Sequence, residues 1–384
     1  MSRKFARSLG GVIAAAALVL GAAACQKEGT GTNEAAKCEG KIAFMGALTG
    51  ADAGAVLPSR DAAKLAFKKF AAANPNCKVE LVEFDTQGDP AQATPVANKI
   101  APDASFIGVI GGAFSGESKA TMPIYEAAGL VMVSQSATNP DLTKTGNKSF
   151  HRVNGNDTTQ GEAAVKYFKD TVKATKVFVI DDGSTYGKGI SDVVKSGLGA
   201  LKAGEDTVQK AQANFDATIS KIKGVAGVDA IAFAGYTGEG APLLKQIRAA
   251  GITVPFVGFD GVYDPAFASG AGTAAEGAIV TCPCIPAEKA GGTFAADFKA
   301  EYGKDPGAYT AEGWDAATVF LSGFKAGKVT RADMLAWVDA YNEQGLSKKI
   351  KFDATGEVDK ANVVVWAYEI KGGVLTPKTE IKLG

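Results

Sequence analysis

The sequence predicts an α/β fold built from two doubly wound parallel sheets. Three observations carry this expectation. Short apolar runs alternate with longer stretches whose apolar residues recur at helical spacing. The alternation runs from about residue 42 to 133 and restarts near 177. A late helical portion then precedes a final pair of apolar runs. Strands alternating with helices favour a parallel sheet covered on both faces. The 384 residues are 46% hydrophobic and 21% charged, enough apolar matter for sizeable cores.

The first 24 residues read as a leader. Arg3, Lys4 and Arg7 supply positive charge, and Leu9 to Ala24 is an uncharged run too short for an ordinary membrane span. Small residues at 21–24 precede Cys25, so the segment resembles a bacterial lipobox in which Cys25 is lipidated. Residues 25–39 have no apolar periodicity and read as a polar tether from the membrane. Removing the leader leaves 38 Lys+Arg against 41 Asp+Glu, a mildly acidic body. That balance argues against nucleic acid as a partner. The single histidine, His151, leaves no His-rich metal site and little scope for His-based catalysis.

In the first half, strands are expected at 42–46, 79–84, 106–110 and 130–133. Helices are expected at 53–73, 90–100 and 117–127, the second with Asp89 as N-cap. In the second half, strands are expected at 177–180, 230–234, 256–259 and 277–281, with helices at 186–202 and 240–250. Helices at 293–302, 309–326 and 331–344 follow, then strands over 363–370 and 374–383.

Export makes the cysteines informative. Beyond Cys25, four remain, and four allow three connectivities. Cys38 and Cys77 each precede a strand; if those strands are parallel neighbours, the two lie at one sheet end and can pair. Cys282 and Cys284 can then close a tight ring around Pro283. No ligand cluster accompanies them, so no metal and no cofactor is expected.

Ligands of open parallel sheets bind at the carboxyl ends of strands. One such loop, Gly111-Gly112-Ala113-Phe114-Ser115-Gly116-Glu117-Ser118, mimics a phosphate-binding loop. Glu117 stands where a lysine belongs, and its charge opposes a triphosphate. A helix N-terminus still suits a single carboxylate. Ser115 adds a hydroxyl, and Ser136-Ala137-Thr138 forms a second donor-rich turn. Helix capping explains the same residues, so both readings stay open here. The second half offers the opposite sign. Asp260 sits in a strand-end turn, with Asp181, Asp182, Tyr186 and Tyr236 at neighbouring ends. An anion-accepting lobe facing a cation-accepting lobe describes a site for a zwitterion.

Several segments together resemble one family. They are 42–50 (IAFMGALTG), 84–97 (FDTQGDPAQATPVA), 124–138 (IYEAAGLVMVSQSAT), 139–142 (NPDL), 186–189 (YGKG) and 256–262 (FVGFDGV). In order and spacing they resemble the type I periplasmic binding proteins, in the leucine/isoleucine/valine-binding branch. The resemblance implies two doubly wound lobes joined by a three-strand hinge. It divides the chain into 40–154 plus 283–350 for the first lobe and 155–282 plus 351–384 for the second. It implies that Ser115 and Ser136-Ala137-Thr138 hold a ligand carboxylate. Asp260, a glutamate in the best-known members, meets the ammonium. Tyr186 and Tyr236 approach from the second lobe, and Trp314 lines the side-chain pocket. Ala55 stands where branched-chain binders often present a tyrosine. Gly88 and Phe114 replace a disulfide found in some relatives.

The function so implied is a monomeric, lipid-anchored receptor on the outer face of the cell membrane. It binds an amino acid, with the branched-chain type favoured, and delivers it to the permease subunits of an ABC importer without catalysis. The competing classes are a sensor for amides, urea-like compounds or aromatic acids, and an exported hydrolase. No Gly-x-Ser-x-Gly elbow supports the latter.

Overall fold

A computed structural model describes residues 38–383. The leader, Cys25 and nearly all of the tether lie outside the described residues. The first lobe opens with β1 (Glu39–Gly46), α1 (Leu57–Ala73), β2 (Lys78–Asp85), α2 (Pro90–Ile100), β3 (Phe106–Ile110), α3 (Ser115–Ala127), β4 (Val131–Ser134) and β5 (Phe150–Arg152). Its sheet has the order β2-β1-β3-β4-β5 and is parallel throughout. The central strand β3 is buried at every position, as a sheet covered on both faces requires, whereas the edge strand β2 is partly exposed along its length. The expected first helix starts late. Residues 53–55 form a separate turn, and α1 begins at Leu57, with Pro58 in its first turn where no N–H is needed. Asp89 caps α2, its carboxylate accepting the Ala91 N–H at 2.9 Å.

The second lobe holds α4 (Asp157–Tyr167), β6 (Val177–Asp181), α5 (Thr185–Leu198), β7 (Lys202–Thr207), α6 (Asp216–Gly224), β8 (Ala230–Ala234), α7 (Thr237–Ala249), β9 (Phe256–Gly258), α8 (Pro265–Ala271) and β10 (Ile279–Cys282). The chain then returns to the first lobe with α9 (Phe294–Tyr302), α10 (Thr310–Lys325), α11 (Arg331–Asp339) and the hairpin β11 (Asn342–Gln344) and β12 (Lys349–Lys351). It ends with β13 (Trp366–Lys371) and β14 (Val374–Glu380). The second sheet runs β14-β13-β10-β9-β8-β6-β7, with β13 and β14 antiparallel to their neighbours.

Apolar clusters lie on both faces of each sheet. Phe44, Val133 and Phe320 belong to one face of the first sheet, Met45, Met132 and Tyr125 to the other. Val179, Ala232 and Phe259 fill one side of the second sheet, Phe178, Phe233 and Leu244 the other. Cys38 is bonded to Cys77, with Cα atoms 4.6 Å apart where β1 and β2 begin. Cys282 is bonded to Cys284, with Cα atoms 5.1 Å apart.

Two expectations need correction. The helix expected over 331–344 stops at Asp339, and residues 342–344 pair with β12 instead. The return to the second lobe comes later than residue 350. Ile350, Phe352 and Val358 pack into the first lobe's core with Phe44, while Val365 and Ala367 belong to the second. Glu357 fixes this stretch to the first lobe by a two-pronged ion pair with the buried Arg152, at 2.9 and 2.5 Å. The three crossings touch at Gly155. A Cβ there would fall 2.4 Å from Val363 and 3.1 Å from Pro283, so only glycine permits the approach.

Candidate functional site

The lobes meet over a small cavity. Strand ends of both sheets converge on it. On the first-lobe side lie Ser115, at the start of α3, and Ser136 and Thr138, in the loop after β4. Ser115 Oγ accepts the Asn139 N–H at 3.1 Å, which ties the two turns together. Ser136 Oγ donates to the Ala113 carbonyl at 2.8 Å. The Thr138 hydroxyl is buried next to the Asp157 carboxylate. The N-terminus of α3 adds free backbone N–H groups and partial positive charge.

Arg152 braces this loop from beneath. One guanidinium nitrogen donates to the carbonyls of Ala137 at 2.8 Å and Asn139 at 3.0 Å. Ala137 is therefore a buttress behind the cavity wall and does not line it. Glu117, the residue that spoils the phosphate-loop pattern, turns inward. Its carboxylate accepts the Phe114 N–H at 2.8 Å and the Thr86 hydroxyl. Burial pushes its pKa up to about 7, against the lowering effect of those two bonds.

The opposite wall is acidic. Asp260 is buried, and its two oxygens accept the hydroxyls of Tyr186 and Tyr309, each at 2.9 Å. Tyr186 in turn accepts the Gly261 N–H at 3.0 Å. Burial pushes the Asp260 pKa up to about 6, while the tyrosine hydrogen bonds hold it down. Asp157, the first residue of α4, is fully buried beside Thr138: its N–H donates to the Thr138 carbonyl at 2.8 Å, and the Thr138 hydroxyl next to its carboxylate holds its pKa down. Burial raises its pKa well above the carboxylate range, and the Asp260 charge raises it further. The nearest balancing charge, Arg152, is already paired with Glu357. Asp157 and Asp260 thus disfavour one another's charged form.

Tyr236 lies between the lobes, its ring 5.0 Å from that of Tyr186 and 4.6 Å from that of Phe114. Asp182 fixes its backbone, accepting the Tyr236 N–H at 3.2 Å, and burial pushes the Asp182 pKa up to about 6. The lobes touch directly elsewhere. Asp52 accepts the Gly238 N–H at 3.1 Å, and the Asn139 amide donates to the Thr185 carbonyl at 2.6 Å.

Ser115, Ser136, Thr138, Tyr186, Tyr236 and Asp260 thus surround one cavity. Trp314 is a correction. It stands 5.6 Å from the Phe294 ring under the Lys69 ammonium, outside the cavity, because α10 carries it round to the α1 and α9 side. Tyr309, just before α10, takes the aromatic place instead. Its left-handed backbone, φ 52°, is rare for a bulky residue and marks a constrained position. An aromatic just before a helix start was its one trace in the sequence. Asp157 left none beyond an acidic first turn. His151, buried against Asp339 and Phe352, lies outside the cavity.

Comparison with known proteins agrees with this geometry. The sequence profile of the family described as periplasmic binding protein matches residues 39–373. An amino acid binding protein of Pseudomonas aeruginosa is 29% identical over 301 residues, covering 77% of this chain and 80% of that one. A leucine-, isoleucine-, valine-, threonine-, and alanine-binding protein of the same species is 31% identical over 338 residues, 85% of this chain and 89% of that one. The crystal structure of a leucine binding protein from Thermotoga maritima superposes with a TM-score of 0.81 at 27% identity, covering 89% of this chain and 99% of that one. With its two lobes, its interlobe cavity and these relatives, the chain belongs to the type I periplasmic binding proteins, in their leucine/isoleucine/valine-binding branch.

Proposed function

We propose that this chain is the substrate-binding lipoprotein of an ABC importer, and that it holds an amino acid of the branched-chain type between its lobes. The observation that carries the reading is one cavity lined both by the buried Asp260 carboxylate and by the hydroxyl-bearing start of α3. A ligand ammonium pairs with Asp260, and the ligand's carboxylate takes the donors of α3, Ser115 and Thr138. An unpaired charge in so buried a cleft is strongly disfavoured, so the two ends select a zwitterion. A ligand that touches both lobes favours the closed arrangement, because an open one lacks half of those contacts.

Cys25 carries the lipid in this reading, and the closed form docks on the membrane permease. Among the described residues no helix is long and apolar enough to cross a membrane. In this reading the ligand is released unchanged.

Calorimetry with the twenty amino acids, simple amides and small carboxylates tests the reading. Leucine, isoleucine or valine is expected to bind, and Asp260→Ala to weaken that binding at least tenfold. Failure of every amino acid to bind overturns it. Mass spectrometry of the membrane fraction, with Cys25→Ser as control, tests the anchor.

A further inference from the structure

We propose that Phe114 sets the upper size of the ligand side chain, closing the apolar end of the cavity so that aliphatic amino acids fit and aromatic ones do not. This rests on the amino-acid reading above. With the two polar ends of the cavity assigned, the remaining wall is Ala55, Ala113, Phe114 and Tyr236. Ala55 and Ala113 leave room. Phe114 removes it, because its ring meets Tyr236 of the opposite lobe at 4.6 Å and the two rings form one partition. On the far side of that partition lies a larger outer cleft that opens toward solvent. Phe114 and Tyr236 line both spaces.

The ring is held in place by features unrelated to any ligand. Glu117 accepts the Phe114 N–H at 2.8 Å and fixes the backbone at the start of α3. Gly88 lies under the ring. A Cβ at Gly88 would stand 2.5 Å from Phe114, so the ring fills the space that any other residue at 88 would take. Gly88 also has a φ of 69°, a region glycine enters freely. Shortening residue 114 therefore joins the small inner cavity to the larger outer one, and a longer side chain gains somewhere to go.

The test is titration calorimetry of the wild type, Phe114→Ala and Phe114→Leu with leucine and with phenylalanine. In the wild type, leucine is expected to bind at least tenfold more tightly than phenylalanine. In Phe114→Ala that preference is expected to shrink at least tenfold, and in Phe114→Leu by an intermediate factor. Phe114→Leu keeps an apolar residue over Gly88 and guards against loss of folding in the alanine variant. A wild type that binds the two ligands equally overturns the proposal without any variant. So does a preference that stays within threefold of wild type in a folded variant. A wild type that binds no amino acid overturns the functional reading itself, a distinct outcome.

Discussion

Replacing Asp260 by asparagine removes one charge and almost no volume. Oδ1 can still accept the Tyr186 hydroxyl, whereas the new amide presents hydrogens to Tyr309 and to the ligand ammonium. A charge-assisted hydrogen bond is worth about 1.5–3 kcal/mol. Breaking a buried pair by neutralising one partner costs about 3–5 kcal/mol. Where these ranges meet, about 3 kcal/mol, the dissociation constant for leucine should rise somewhat over a hundredfold. The ligand-free protein should respond differently. Burial already disfavours the charged form of Asp260, so Asp260→Asn should melt no lower than wild type at pH 7.5. Calorimetry gives the first quantity and thermal unfolding the second. A third measurement isolates the charge pair. The analogue 4-methylpentanoate, leucine without its amino group, should be rejected by wild type far more strongly than by Asp260→Asn. Leucine affinity within threefold of wild type, with undiminished rejection of the analogue, would refute the pairing of Asp260 with the ammonium.

Four further outcomes follow from the same structure. Binding requires a charged carboxylate, and the Asp260 pKa lies at about 6 in the ligand-free protein, so affinity should fall about tenfold per pH unit below that point; calorimetry from pH 4.5 to 8 should show a plateau only at the upper end. The same raised pKa means that the folded ligand-free state binds more protons than the unfolded chain between about pH 4 and 6. Its stability to urea should therefore decline as pH rises through that window. Arg152→Met leaves Glu357 half-paired and frees the carbonyls of Ala137 and Asn139, which should cost about 3 kcal/mol in urea unfolding and weaken leucine binding as well. Gly155→Ala places a methyl 2.4 Å from Val363 and should destabilise by about 1–3 kcal/mol, read as a lowered Tm, with the Asp260 chemistry intact.

The fold class was legible because buried parallel strands write themselves as continuous apolar runs, as in β3 and β8. Elements without that signature were missed. β7 (Lys202–Thr207) is a polar edge strand whose exposure breaks any alternation, and the expected helix over 186–202 ends at its first residue with no strand expected after it. β5 reads Phe-His-Arg, and its burial depends on Asp339 and Glu357, some two hundred residues away. α4 buries Asp157, Thr159 and Gln160 at the lobe junction, so its inward face carries polar residues where periodicity looks for apolar ones. Within the site, residues at strand ends were found because topology places them there. Tyr309 and Asp157 were not, since one enters from the returning chain and the other from a helix behind the loop. Trp314 was misplaced for a related reason: chain position near the cleft does not give the phase of α10.

The three crossings packed around Gly155 also bear on affinity. A ligand that settles first on Ser115 and Thr138 does not wait for an independent second partner. Asp260 and the tyrosines are tethered to the same molecule by three chains, so they reach the ligand at an effective concentration in the millimolar range or above. Two modest half-sites can thereby act as one tight site, and the entropy of bringing them together was largely met when the chain folded. Lengthening all three crossings by flexible insertions should leave both half-sites intact and still weaken binding, through dilution alone.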